Sequence, residues 1–216
     1  MNEERETRSA KPAVYILAGG KSSRMGGKDK ASLTLGAQTL LEIMRERARA
    51  ITDKIFIVGS KEKFGPDSVE DVFPTRGPLG GIHAALRSSR AELNLMLAVD
   101  LPFIEPAFLQ YLLRQAETSQ AVVTVSRTAA GWQPLCAIYR RSFADDAEQA
   151  LSAGRNKIDA LFSNVAMRLI EEAELKQAGF SPEMFANVNT PEDFAVAERT
   201  VSKSPNQQVT KSGHSS

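Results

Sequence analysis

The sequence is short of the side chains that most often do nucleophilic or redox work. In 216 residues there is one cysteine, Cys136, and there are two histidines, His83 and His214. A lone cysteine cannot close an intramolecular disulfide, so a disulfide-stapled fold is excluded and a reducing, cytoplasmic setting is expected. Neither sign of charge is in excess: Lys+Arg 27 against Asp+Glu 26 leaves a formal charge of +1. A nucleic-acid binder carries a clear basic surplus, so that role is set aside, although local basic clusters remain able to meet a small anion. Long apolar runs are also missing, and none approaches the roughly 18 residues of a membrane span. The opening "MNEERETRSAK" is charged and has no apolar core, so no secretory signal is expected. Internal repeats and linker-like stretches are absent from the sequence as well.

What is present is ordinary for a globular protein, with 42% hydrophobic and 25% charged residues. The expectation is one domain over residues 12–200, between disordered tails at 1–11 and 201–216. "AVYILA" (13–18), "KIFIVG" (54–59), "NLMLAV" (94–99) and "AVVTVS" (121–126) are nearly continuous apolar runs, as strands covered on both faces require. Helical patterns alternate with them. "TLLEIMRERARAI" puts Leu40, Leu41, Met44, Ala48 and Ile51 on one face, after a capping box made by Thr39 and Glu42. Further helices are predicted over 80–89, over 105–116 with Pro106 in the first turn, from Ser142 to Leu151, and near Asn156–Phe162. A strand is expected within 134–141, and a last helix begins at Pro191 behind a Thr190 cap. This alternation predicts a three-layer α/β sandwich with a mostly parallel sheet and right-handed crossovers.

In such a sheet, ligands bind beyond the carboxyl ends of the strands. The first of those ends carries "YILAGGKSSRMGGKDKA" (15–31). The dinucleotide motif G-x-G-x-x-G fails there because Gly19 and Gly20 are adjacent. The P-loop motif fails too, since Gly27-Lys28 is followed by Asp29 and Ser22 stands five positions before Gly27. Glycines after a buried strand still let backbone N–H groups approach an anion, and Lys21, Arg24, Lys28 and Lys30 can add charge. A solvated surface turn fits the same composition. Asp100 follows the third run and is read either as a Mg²⁺ ligand beside phosphates or as a turn former.

"LAGGKSSRMGGKDKA" resembles the signature of nucleotidyltransferases that activate a phosphorylated small molecule with a nucleoside triphosphate, with one extra residue at Gly26-Gly27. "RGPLGG" (76–81), "LAVDLPF" (97–103), "QPLCAIY" (133–139) and "NVNTPEDF" (187–194) follow in the family's order, so the resemblance covers roughly 12–200. Leu-Ala-Gly-Gly, rather than Leu-Ala-Ala-Gly, and Gly77-Pro78-Leu79-Gly80-Gly81 are similar to the molybdenum cofactor guanylyltransferase branch. The resemblance implies a Rossmann-like, mostly parallel sheet of the nucleotide-diphospho-sugar transferase type.

It also implies Mg²⁺-dependent transfer of GMP from GTP to the phosphate of molybdopterin, with pyrophosphate leaving. The nucleophile is then already an anion, so no Ser, Cys or His nucleophile is needed. By the same resemblance Leu17, Ala18, Gly19, Gly20, Lys30, Asp71, Pro78, Leu79 and Asp100 contact the nucleotide. Arg24 neutralises the pyrophosphate, Lys30 meets the α-phosphate region, and Asp100 holds Mg²⁺. Lys21 and Lys28 are left as solvated. For molybdopterin the candidates are Asn187 and Asn189, which an Asx turn also explains, and Arg155 and Lys157, which a solvated helix end also explains. Trp132 reads as packing or a pterin stack, His83 as packing or surface, and Cys136 as an inert buried thiol. Protein partners implied are transient ones that deliver or accept the cofactor, with no nucleic acid and no membrane. The alternatives are a cytidylyl- or sugar-1-phosphate nucleotidylyltransferase of the same fold, or a non-catalytic nucleotide-binding relative.

Overall fold

The structure, a computed structural model, describes residues 11–19, 30–73 and 75–203. In chain order, β1 (Ala13–Leu17) precedes a 3₁₀ turn (Lys30–Ser32), the small hairpin β2 (Thr34–Leu35) and β3 (Gln38–Thr39), and α1 (Leu40–Ala48). Next come β4 (Ile55–Val58), the one-turn α2 (Lys61–Phe64), α3 (Pro78–Ser88), β5 (Leu93–Ala98) and α4 (Pro106–Glu117). Then follow β6 (Val123–Thr128), β7 (Gly131–Trp132), β8 (Cys136–Arg140) and α5 (Phe143–Ser152). A 3₁₀ segment (Asp159–Asn164), β9 (Met167–Glu171), α6 (Glu172–Gln177), a second 3₁₀ segment (Pro182–Phe185) and α7 (Pro191–Lys203) complete it. Among the described residues no helix is long and apolar enough to cross a membrane.

Among the described residues the main sheet has seven strands in the order β4-β1-β5-β8-β6-β7, with β9 paired to β6. β1 runs parallel to β4 and β5, and β6 parallel to β9. β8 is the inverted member, antiparallel to both β5 and β6. The apolar runs are continuous because both faces are covered, and the period-2 alternation divides them between two cores. Val14, Ile16, Leu95, Leu97, Cys136 and Ile138 face α1, α4 and α7. Ala13, Tyr15, Met96, Ala137 and Tyr139 face α3 and α5. The three layers follow directly from that division.

Local signals hold where they have a physical partner. Thr39 caps α1 by accepting the Glu42 N–H at 3.2 Å, and the Glu42 carboxylate accepts the Thr39 N–H at 2.7 Å. That reciprocal bond holds the Glu42 carboxyl below its ordinary range. Two expectations need correction. The helix near 156–162 is a 3₁₀ segment at Asp159–Asn164, and only Leu161 and Phe162 within it are buried. α7 extends to Lys203, three residues into the expected tail.

Candidate active site

β1, β4 and β5 are parallel, so their carboxyl ends finish side by side and the three following turns face one another. Ala18 and Gly19 both donate to the Val58 carbonyl at 3.0 Å, and Val99 donates to the Leu17 carbonyl at 3.2 Å. The backbone beyond the strands is thereby held as a shelf. Above it opens a cavity of about 920 Å³, lined by Leu17, Ala18 and Gly19, by Val58, Gly59 and Ser60, and by Ala98, Val99 and Asp100. Its remaining walls include Lys30, Asp71, Thr75, Pro78 and Leu135. The size suits a nucleotide rather than a metal ion or a single phosphate.

Lys30 and Asp100 meet inside this cavity. The ammonium donates to Asp100 Oδ2 at 2.9 Å, and the two side chains are 23% and 19% exposed. Both are shielded enough for the charges to matter and open enough to meet a ligand. Lys30 also donates to Asn189 Oδ1. Asn189 is brought there by its neighbour, because the Val188 N–H donates to the Asp100 carbonyl at 3.0 Å while the Val188 side chain is buried.

Asp71 forms the opposite wall, beside the start of α3. It accepts the Phe73 N–H at 2.7 Å, yet burial, the larger effect, pushes its carboxyl above the ordinary carboxylate range. Gly80 makes room for it, since a Cβ there would collide with the carboxylate. Thr75, on the same rim, is the one non-glycine among the described residues with positive φ, at 71°.

The structure sorts the remaining candidates. Gly20 and Arg24, with Lys21, Gly26, Gly27 and Lys28, lie outside the described residues. Pro78 lines the cavity, but the Leu79 side chain is wholly buried in the core beneath α3, so any contact it makes there comes from its backbone. Arg155 and Lys157 are exposed after α5 and line neither this cavity nor the one described next. Asn187 is exposed, while Asn189, two residues on, reaches Lys30. Trp132 packs edge-on against Phe162, with centroids 5.1 Å apart. His83 is buried against the Phe73 ring, and Cys136 is fully buried with its thiol pKa pushed far up by burial alone.

Sequence reasoning missed Thr75, Leu135 and the Val58–Ser60 turn as cavity walls. The turn was legible in principle as the carboxyl end of a predicted strand; Leu135 was not, because the inversion of β8 brings it there. A second cavity of about 740 Å³ lies at the carboxyl end of β6, lined by Thr128, Gln133, Glu172, Phe180, Phe185 and Ala186 among others.

The chain matches a known family. The model of the MobA-like NTP transferase domain matches residues 14–172. The chain belongs to that family. A molybdenum cofactor guanylyltransferase of Desulfosudis oleivorans is 33% identical over 190 residues, covering 86% of this chain and 94% of that protein. Another, from Syntrophotalea carbinolica, is 34% identical over 188 residues, covering 84% and 88% respectively. The crystal structure of molybdopterin-guanine dinucleotide biosynthesis protein A from Archaeoglobus fulgidus superposes with a TM-score of 0.77 at 27% identity, over 89% of this chain and all of that one. A CMP:2-keto-3-deoxy-manno-octonic acid synthetase complexed with CTP shares the fold at a TM-score of 0.68 and 13% identity. MobA-like transferases are nucleotidyltransferases, and the mostly parallel α/β sheet of this chain is theirs.

Proposed function

We propose that the protein is a molybdenum cofactor guanylyltransferase of the cytoplasm, which transfers GMP from GTP to the terminal phosphate of molybdopterin and releases pyrophosphate. The observation that carries this reading is the Lys30–Asp100–Asn189 cluster inside a nucleotide-sized cavity, in a chain whose relatives bear that name along nearly their whole length. An oxygen of the acceptor phosphate attacks the α-phosphorus of GTP. The bond from that phosphorus to the bridging oxygen breaks, and its electron pair leaves with pyrophosphate. No general base is needed, so the protein's task is positioning and charge neutralisation. The Lys30 ammonium meets the α-phosphate oxygens as charge builds there, and Arg24 accompanies the pyrophosphate.

Asp100 suits Mg²⁺. It offers one partly exposed carboxylate, and among the described residues no trio of His, Cys, Asp or Glu forms a closed metal cage. A hard cation that shares one carboxylate with phosphate oxygens and water fits that donor set. When bound, Mg²⁺ supplies neutralisation of phosphate charge.

Asp71 accounts for the base. An ionised carboxylate only accepts, and guanine presents two adjacent donors, N1–H and the N2 amino group. Cytosine and adenine offer one donor beside a ring acceptor, which a carboxylate repels. The acceptor is assigned to the second cavity: its Gln133 stands two residues before Leu135 of the first cavity, and its Ala186 stands three residues before Asn189, which reaches Lys30.

A thermal-shift panel of GTP, CTP, ATP and UTP with Mg²⁺ tests this reading. GTP at about a hundred times its Kd adds about 2.7 kcal/mol of apparent stability, a Tm rise of roughly 5–10 °C. A rise with CTP and none with GTP contradicts the guanylyl assignment.

A further inference from the structure

We infer that Asp193, a residue outside the cavity, is the positioning residue that keeps Lys30 in place by fixing Asn189. The inference rests on the guanylyltransferase reading for its kinetic readout and on geometry for the rest.

Asp193 stands in the first turn of α7 and completes a capping box with Thr190: its N–H donates to the Thr190 hydroxyl at 3.1 Å, and its Oδ2 accepts the Thr190 N–H at 2.9 Å. A helix cap asks for nothing more. The same Oδ2 also accepts the N–H of Asn189 at 3.0 Å, one residue before the cap. Asn189 is the residue whose side chain holds Lys30. Together with the Val188 N–H on the Asp100 carbonyl, the segment 188–190 is pinned at both ends, to Asp100 on one side and Asp193 on the other.

The consequence for Lys30 is electrostatic as well as steric. An incoming phosphate competes with Asp100 for the ammonium. Asn189 is a neutral acceptor, so it holds the lysine without cancelling the charge that the phosphate needs. The Asp193 carboxyl lies below its usual range, held there first by the Asn189 N–H, then by Thr190, with the Lys30 charge adding to it. The anchor therefore keeps its charge throughout the neutral range.

The test compares Asp193→Ala, Asp193→Glu and Thr190→Ala. Thr190→Ala removes the hydroxyl half of the cap and leaves the bond to Asn189. Both alanine variants are expected to lower Tm. Only Asp193→Ala is expected to lower kcat, by about tenfold or more, with the KM for GTP within about twofold. Asp193→Glu, whose carboxylate again reaches back from the first turn, is expected to restore kcat. A second readout needs no nucleotide: the side-chain ammonium resonance of Lys30 in ¹⁵N spectra, protected in the wild type and Thr190→Ala and exchange-broadened in Asp193→Ala. Unchanged kcat in Asp193→Ala, or an equal loss in Thr190→Ala, overturns the inference. If the wild type transfers no GMP, the guanylyltransferase reading fails, and the Lys30 resonance alone decides the positioning: an unaltered signal in Asp193→Ala overturns it.

Discussion

Lys30 holds Asp100 and Asn189 at once, across 70 and 159 residues of sequence. The first partner was legible, because Asp100 ends a predicted strand and Lys30 follows the glycine-rich segment at the end of another. The second was legible only as a family motif: an asparagine before a helix cap reads equally well as an Asx turn. Asp71 shows the same limit, since its burial depends on α3 passing close at Gly80. Its raised pKa has a testable sign. A carboxyl whose folded pKa lies above its unfolded value contributes stability below the unfolded pKa and loses it as pH rises through the folded one. At pH 7 the ionised group is therefore a cost in the free protein. Asp71→Asn is expected to melt no lower than the wild type at pH 7 while losing the GTP-induced rise in Tm. A lower Tm with the GTP response intact contradicts the role given to Asp71.

At the scale of elements, strands and helices with two buried faces or an apolar stripe were readable, and those stabilised by a few polar contacts were not. β9 is the clearest omission. Its residues are Met167, Arg168, Leu169, Ile170 and Glu171, and only Ile170 is buried, so neither alternation nor a continuous run marks it. The polar contacts that hold it in place were invisible in sequence. Arg168 bonds Glu174 on α6 and Gln115 on α4, and the Tyr111 hydroxyl on α4 donates to Glu174 at 2.7 Å. Burial first, and then that carboxylate, push the Tyr111 phenol up to about 12. The folded state thus keeps a proton that the unfolded chain releases near pH 10, so this group's contribution is full below about pH 10 and fades as pH rises through about 12. Tyr111→Phe is expected to be about 1 kcal/mol less stable at pH 8. The deficit should shrink toward zero as denaturation is followed up to pH 12; a constant gap contradicts this account of the contact.

For the whole molecule, the inversion of β8 escaped the sequence, since an apolar run carries no direction. It matters for the proposed function because it brings Leu135 to the first cavity and Gln133, two residues before it, to the second. The parallel half, β4-β1-β5, was legible and places the nucleotide shelf. Asn189, two residues before α7, brings a second acceptor to Lys30 at the edge of that shelf. Lys30 and Asp100 are both partly shielded, so the melting temperature of each variant is followed beside its rate, and a loss of activity at unchanged Tm is read as chemistry. The most direct measurement is transfer of label from [α-³²P]GTP to molybdopterin with Mg²⁺, in the wild type, Lys30→Ala and Asp100→Asn. The wild type is expected to form labelled dinucleotide and release pyrophosphate in equal amounts, with rates lower by about a hundredfold in each variant at unchanged fold. Wild-type rates in both variants, or no labelled dinucleotide from the wild type, would contradict the proposed function.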